Sequence, residues 1–177
     1  MCSRTPPQHL SEGSYEEIPY AISTAALFDR RRVLSLGGFD AMVYAPLYWE
    51  DTDLSVRAYR RGWKSVRVGD SHVWHGSGVT MKRILSEFRF SVLLTRNQLL
   101  FHWKNLSGSL LIRHACLLPK LILGSLRQRS WALPAAFLWA LPRAPRAFAG
   151  RGRGARIDYR DLVALGAVLP ATGGRKP

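Results

Sequence analysis

The stretch YWEDTDLSVRAYRRGW, residues 48–63, decides how the rest of this chain is read. The protein holds only 12 Asp and Glu against 26 Lys and Arg, yet Glu50, Asp51 and Asp53 fall within four residues of one another. Leu54, Ala58 and Arg61 recur at helical spacing and Gly62 follows, so the stretch reads as a helix ended by a glycine. The acids then occupy its first turn, while Arg57, Arg60 and Arg61 lie towards its end. Helix chemistry alone favours this arrangement. Negative charge opposes the positive end of the helix dipole, typically by about 0.3–1 kcal/mol, and Asp53 precedes Arg57 by one turn. That accounts well for Asp53 and less well for three acids beside Tyr48 and Trp49. A carboxylate at a helix start, partly desolvated by aromatic neighbours, can also serve as a general base for a hydroxyl. Both readings are open on spacing alone.

The chain has 177 residues, 47% of them apolar, and a formal charge of +14. That suits one domain, or a domain with an appended piece, and suggests an anionic partner: nucleic acid, a phosphorylated small molecule or an anionic membrane surface. Cys2 and Cys116 form no disulfide framework and no zinc spacing, and read as free thiols of a reducing compartment. The polar start, MCSRTPPQHLSEGSYEE, contains no signal core. No acid occurs from Phe88 to Ile157, so the two halves differ in chemistry.

Residues 1–19 read as a loop or extended tail, broken by prolines and Gly13. A short strand is expected from Ala21 to Phe28, then a helix from Arg30 to Leu36 stopped by Gly37 and Gly38. WKSVRVG, residues 63–69, alternates as a strand with Val66 and Val68 on one side. SHVWHGSG reads as an extended piece ending in a turn. One helix is expected from about Lys82 to Leu106, on the recurrence of Leu85, Phe88, Val92, Leu99, Trp103 and Leu106. Beyond it, two apolar stretches (LLIRHACLLPKLILGSL and WALPAAFLWALPRAPRAF) read as too interrupted to span a bilayer, the first by Arg113, His114, Pro119 and Lys120. Basic, aromatic-rich segments of this kind lie in the membrane interface or pack as core. A flexible basic link, GRGRGAR, and a last short helix, DYRDLVALGAVL, close the chain.

In order, the strand region ending in LFDRR, the GGFD turn, the aromatic pair before EDTDL, the Arg-rich helix ending in RRGW, a strand, HVWHGSG and TRNQLLFHWKNL form a set. This set resembles the second half of family 2 glycosyltransferases of the GT-A fold, rhamnosyltransferase-like enzymes of bacterial surface polysaccharide among them. The likeness covers about residues 20–106. It implies an α/β architecture: the C-terminal half of a GT-A nucleotide-diphospho-sugar transferase fold, with an appended helical, basic amphipathic tail. Residues 1–19 would be a loop, 20–106 the acceptor side of the catalytic domain, and 107–177 a membrane-surface region.

The resemblance also implies roles. Asp51, with Glu50 as neighbour or substitute, would deprotonate an acceptor hydroxyl that attacks a nucleotide-sugar donor. Trp49 and Asp53 would contact substrate. His75 would help hold Mn²⁺ or Mg²⁺, although on spacing alone a histidine there is more often an ordinary surface or core residue. The acceptor would be a glycan or lipid-linked hydroxyl at the cytoplasmic face of the cell membrane, with the protein peripheral on that face. Arg96 and Asn97 recur in the family helix without a physical role legible from sequence. The D-x-D half that binds the nucleotide has no counterpart here. Asp51-Thr52-Asp53 has its letters but belongs to EDTDL at a helix start. The chain therefore reads as the C-terminal part of a transferase, inactive alone. The competing reading is a non-enzymatic basic protein that binds anionic membrane or nucleic acid. No nucleic-acid motif accompanies the charge, so nucleic acid is the weaker of those partners.

Overall fold

A computed structural model describes residues 10–73 and 79–151. His75 and the segment after Arg151, including DYRDLVALGAVL, lie outside them. Among the described residues the fold is mostly helical, with one two-stranded antiparallel sheet. A layered α/β sheet is not among them, so the expected α/β class is matched only loosely, and the described residues do not show a GT-A fold.

The sheet joins β1 (Tyr15–Ile18) to β2 (Ser65–Val68), with Tyr15 opposite Val68 and Ile18 opposite Ser65. β2 lies within the expected 63–69, whereas β1 falls in a segment read as a loop. Its alternation is weak and its pairing is cross-strand: Glu16 meets Arg67 at 2.6 Å and Glu17 meets Lys64. The strand expected over Ala21–Phe28 is replaced by a 3-10 turn at Ser23–Ala25. This segment bonds to helix side chains in place of a neighbouring strand: Ala21 N donates to Ser55 Oγ and Ser23 N to Asp51 Oδ2.

The helical part begins with α1 (Arg30–Ser35) and α2 (Ala41–Tyr44), each opened by an aspartate cap. Asp29 accepts from Arg32 N and Asp40 from Val43 N. Gly37 and Gly38 end α1 with φ of 81° and 72°, values that a Cβ would disfavour. α3 (Glu50–Tyr59) is the helix expected from the opening stretch, and Gly62, at φ 75°, closes it. The long helix expected from Lys82 to Leu106 is two. α4 (Val79–Ile84) stops, and α5 (Glu87–Asn105) restarts on Ser86, whose hydroxyl caps Arg89 N. The division leaves Phe88 exposed, while Val92, Leu99, Trp103 and Leu106 are buried as their spacing predicts.

α5 is the central element. In its second half residues on nearly all sides are buried, as befits a helix surrounded by others. α6 (Gly108–Arg127), α7 (Ala132–Ala140) and α8 (Ala144–Ala149) follow, with a 3-10 turn at Leu141–Arg143 between the last two. Ala136, Ala140 and Ala147 are fully buried. Their small side chains let α7 and α8 approach α5 closely, where Trp103 stacks on Phe148 and meets Phe137 edge-on. The core that holds Val43, Tyr44 and Val56 also holds Ala140 and Ala147. Packing is thus continuous across the boundary drawn at residue 106, through the alanines and Phe137, whereas Leu138, Trp139 and Phe148 of α7 and α8 stay exposed.

α6 differs. It runs unbroken for 20 residues through Pro119, so the residues that interrupt the apolar stretch do not interrupt the helix. Proline removes one helix hydrogen bond and crowds the carbonyl a turn earlier. Here both Pro119 and Ala115 are exposed, so the freed carbonyl has access to solvent. By length and composition this helix could cross a membrane.

Behind α3 lies a buried polar network. Asp53 is fully buried, and its carboxylate accepts from Tyr44 Oη at 3.0 Å, Arg57 Nε at 2.8 Å, Lys104 Nζ at 2.9 Å and Asn105 Nδ2 at 3.1 Å. Lys104 also reaches Asp40 at 2.7 Å. Arg57 passes on to the carbonyls of Leu36 and Gly38. Removing one partner of a buried ion pair leaves the other charged and dry, at a cost of about 3–5 kcal/mol. Asp53→Ala is therefore expected to destabilise by that amount, and Asp53→Asn by less, because the amide keeps an acceptor for Tyr44. Urea unfolding followed by circular dichroism reads both; a loss under 1 kcal/mol for Asp53→Ala would remove Asp53 as the fold's anchor.

Candidate functional site

Glu50 and Asp51 reach their positions through the loop before them. Residues 44–49 lie along one side of α5. Tyr48 meets Phe90 edge-on at 5.6 Å and Trp49 packs on Phe101 at 5.0 Å. Between these two contacts Asn97 donates to the carbonyls of Tyr44 and Leu47, each at 2.5 Å, and Tyr48, at 3.0 Å. Arg96 holds Asn97 Oδ1 through Nε and the Ala45 carbonyl through Nη2, and Arg143 donates to the same carbonyl at 2.8 Å. The carbonyls of Tyr44, Ala45, Leu47 and Tyr48 are thus satisfied from α5 and the turn before α8.

The purpose of that support is visible in the backbone. Tyr48 and Trp49 are consecutive non-glycine residues at φ 64° and 75°. Each costs on the order of 1 kcal/mol or more and persists only where surroundings enforce it. The reversed pair turns the chain so that α3 starts at Glu50.

The expected site residues separate on this frame. Asp53 faces the interior with all its donors supplied by protein, so the substrate contact expected of it gives way to a structural role. Burial raises its proton affinity, but Lys104 and Arg57 more than offset this and hold its carboxyl below the ordinary value. Trp49 is half-buried against the core and also approaches His102, leaving part of its surface outward. Asp51 Oδ1 accepts from Thr52 N at 2.7 Å, and its Oδ2 lies 3.4 Å from Ser23 N. Glu50 has its Oε2 buried without a hydrogen-bond partner among the described residues. Burial, followed by the charge of Asp51, raises its carboxyl above the usual range, with a backbone hydrogen bond acting in opposition. Two adjacent carboxyls thus share a rim, one in hydrogen bonds to the backbone and one desolvated.

For the expected Mn²⁺ or Mg²⁺, no three His, Cys, Asp or Glu converge on a common point among the described residues, and His75 is outside them. Sequence reasoning did not assign Asn97, Arg96, Arg143 or Lys104. The available signal was polar: TRN and WKN, residues 95–97 and 103–105, interrupt an otherwise apolar helix.

A second polar feature adjoins Trp49. His102 of α5 meets His114 of α6 edge-on at 5.1 Å. Both nitrogens of His102 and Nε2 of His114 are buried without partners among the described residues. Burial, then the neighbouring His114, pulls His102 down to about 4. Compared with known proteins, the chain matches no family model, no curated sequence and no solved structure, so the glycosyltransferase resemblance rests on the motifs.

Two outcomes are expected. Asn97→Ala leaves buried loop carbonyls unpaired, at about 1–3 kcal/mol, and hydrogen exchange over residues 45–51 should accelerate more than in the core of α5. Uniform acceleration would deny the loop-holding role. For His102, the unfolded state binds the proton first as pH falls, so stability is lost between about pH 6.5 and 4, by roughly 2–3 kcal/mol. His102→Leu should flatten that slope in urea unfolding at stepped pH; an unchanged slope would place it elsewhere.

Proposed function

We propose that this chain supplies the acceptor side of an inverting glycosyltransferase, with the general base drawn from the Glu50–Asp51 pair. The observation that carries the reading is the supported reversal at Tyr48 and Trp49. A strained turn held by Asn97 and Arg96 sets two carboxyls at a helix start, while the third acid of the cluster is committed to the core. Helix stability alone needs no such turn. Strain of this kind tends to collect where a side chain must be aimed.

In the proposed reaction the base removes the proton of an acceptor hydroxyl as its oxygen attacks the anomeric carbon of a nucleotide-sugar donor. The bond to the diphosphate breaks, and the nucleoside diphosphate leaves with the electron pair. The resemblance gives the base to Asp51. Glu50 adds two properties that suit a base: desolvation, which raises its proton affinity, and an oxygen without a hydrogen-bond partner among the described residues. Trp49 would offer its outward face to a sugar ring. Donor binding needs a nucleotide-binding half with metal-holding aspartates. The two-stranded sheet does not provide that half, so it would come from another segment or chain.

The test uses the protein purified from its native source, a panel of nucleotide sugars and a lipid-linked acceptor fraction, reading nucleoside diphosphate release. Asp51→Asn is expected to lower the rate by about 10²-fold or more if Asp51 is the base, and Glu50→Gln if Glu50 is. Retention of full transfer by both variants would overturn the assignment.

A further inference from the structure

α6 presents a surface that the core does not use. Leu118 is buried and His114 and Ile122 are partly buried on its inner side, yet almost none of the helix is enclosed. On the outer side Arg113, Lys120 and Arg127 recur every seven residues and are all exposed. At 100° per residue they form one stripe along the helix. Exposed Ile112 and Leu123 flank it on one side, Leu117 and Leu121 on the other. Trp131 is exposed just beyond the helix end. No acid occurs anywhere from Phe88 to Ile157.

We propose that this outer face of α6 docks flat on an anionic lipid bilayer. Length alone would also allow a crossing, but the charge pattern argues against it. In a crossing helix the basic residues gather at the ends, whereas Lys120 lies well inside, with Arg113 a further two turns back. In a helix lying in the interface every one of them is level with the headgroups. Long basic side chains extend to phosphates while their apolar neighbours enter the acyl boundary. A protein partner would have to supply a matched row of acids. An anionic bilayer supplies negative charge everywhere along the row and an apolar layer beneath it. The inference stands apart from the sugar-transfer reading, since a non-enzymatic membrane-binding protein would carry the same face.

Cosedimentation of the full chain with phosphatidylcholine vesicles, with and without phosphatidylglycerol, tests it. Binding is expected with the anionic vesicles and should weaken with salt. R113E/K120E/R127E should lower the partition coefficient by roughly 100-fold, at about five-fold for each basic residue lost from the surface. R30E/R31E/R83E makes the same change of net charge on α1 and α4 and should bind more tightly than the α6 variant. Replacing Ile112, Leu117, Leu121 and Leu123 by Ser should leave only binding that salt releases. Circular dichroism checks that each variant is folded. Equal loss in the two charge variants would reduce the effect to net charge, and retention on RNA with no vesicle binding would point to nucleic acid. Either result, or an α6 variant that binds like the parent, overturns the proposal.

Discussion

The buried carboxylate of Asp53 is the point on which the rest of this structure depends. Four donors from α2, α3 and α5 converge on it, and two of them are cations. A lone carboxylate in that place would be prohibitively costly, and so would Lys104, which is 3% exposed at its side chain. Each charge is tolerable because the other is present. Asp40 adds a second anion beside Lys104, and Arg57 carries the network to the end of α1. Such networks are weak sources of net stability but strong constraints on arrangement. The network ties α2, α3 and α5 to one another through a single buried carboxylate.

From that anchor the geometry of the carboxyl pair follows. With α3 fixed to α5, the loop between α2 and α3 must cover the intervening distance along the α5 surface. Phe90, Asn97 and Phe101 lie on that surface and meet Tyr48, the loop carbonyls and Trp49 in turn. Along this path Tyr48 and Trp49 take the left-handed conformation, and α3 starts directly after them at Glu50. The same helix thus stabilises the fold through Lys104 and Asn105 and shapes the candidate site through Arg96 and Asn97. It also bears His102, whose ring lies between Trp49 and His114 of α6. Site, core and outer helix are adjacent parts of one packing arrangement.

The charge imbalance of the chain also separates into parts once the fold is known. Some of the arginines are internal ties: Arg57, Arg96, Arg143 and Arg151 all donate to backbone carbonyls, the last to Trp103 and Leu106 at the end of α5. These bear on folding more than on partners. The basic residues of α6 are different in kind, since they are exposed and aligned. A net charge of +14 is therefore a poor guide by itself to what this protein binds.

The sequence by itself determined the local elements. The glycine stops, the extent of α1 and α3, the alternation of β2 and the pairing of Asp53 with Arg57 all follow from near-neighbour chemistry, which a linear reading captures. The acid cluster was legible as a feature, and so was the contrast between the two halves. What tertiary structure decided was which acid serves which purpose. Asp53 is structural because Lys104 and Asn105, some fifty residues later, reach it. Glu50 and Asp51 lie at the rim because Asn97 and Arg96 fix the loop before them. The division of the long helix at Ser86, the pairing of β1 and the inward and outward faces of the last helices were settled in the same way. Spacing along a chain encodes contacts within a turn or two; contacts across fifty residues depend on the one packing that satisfies every buried charge at once.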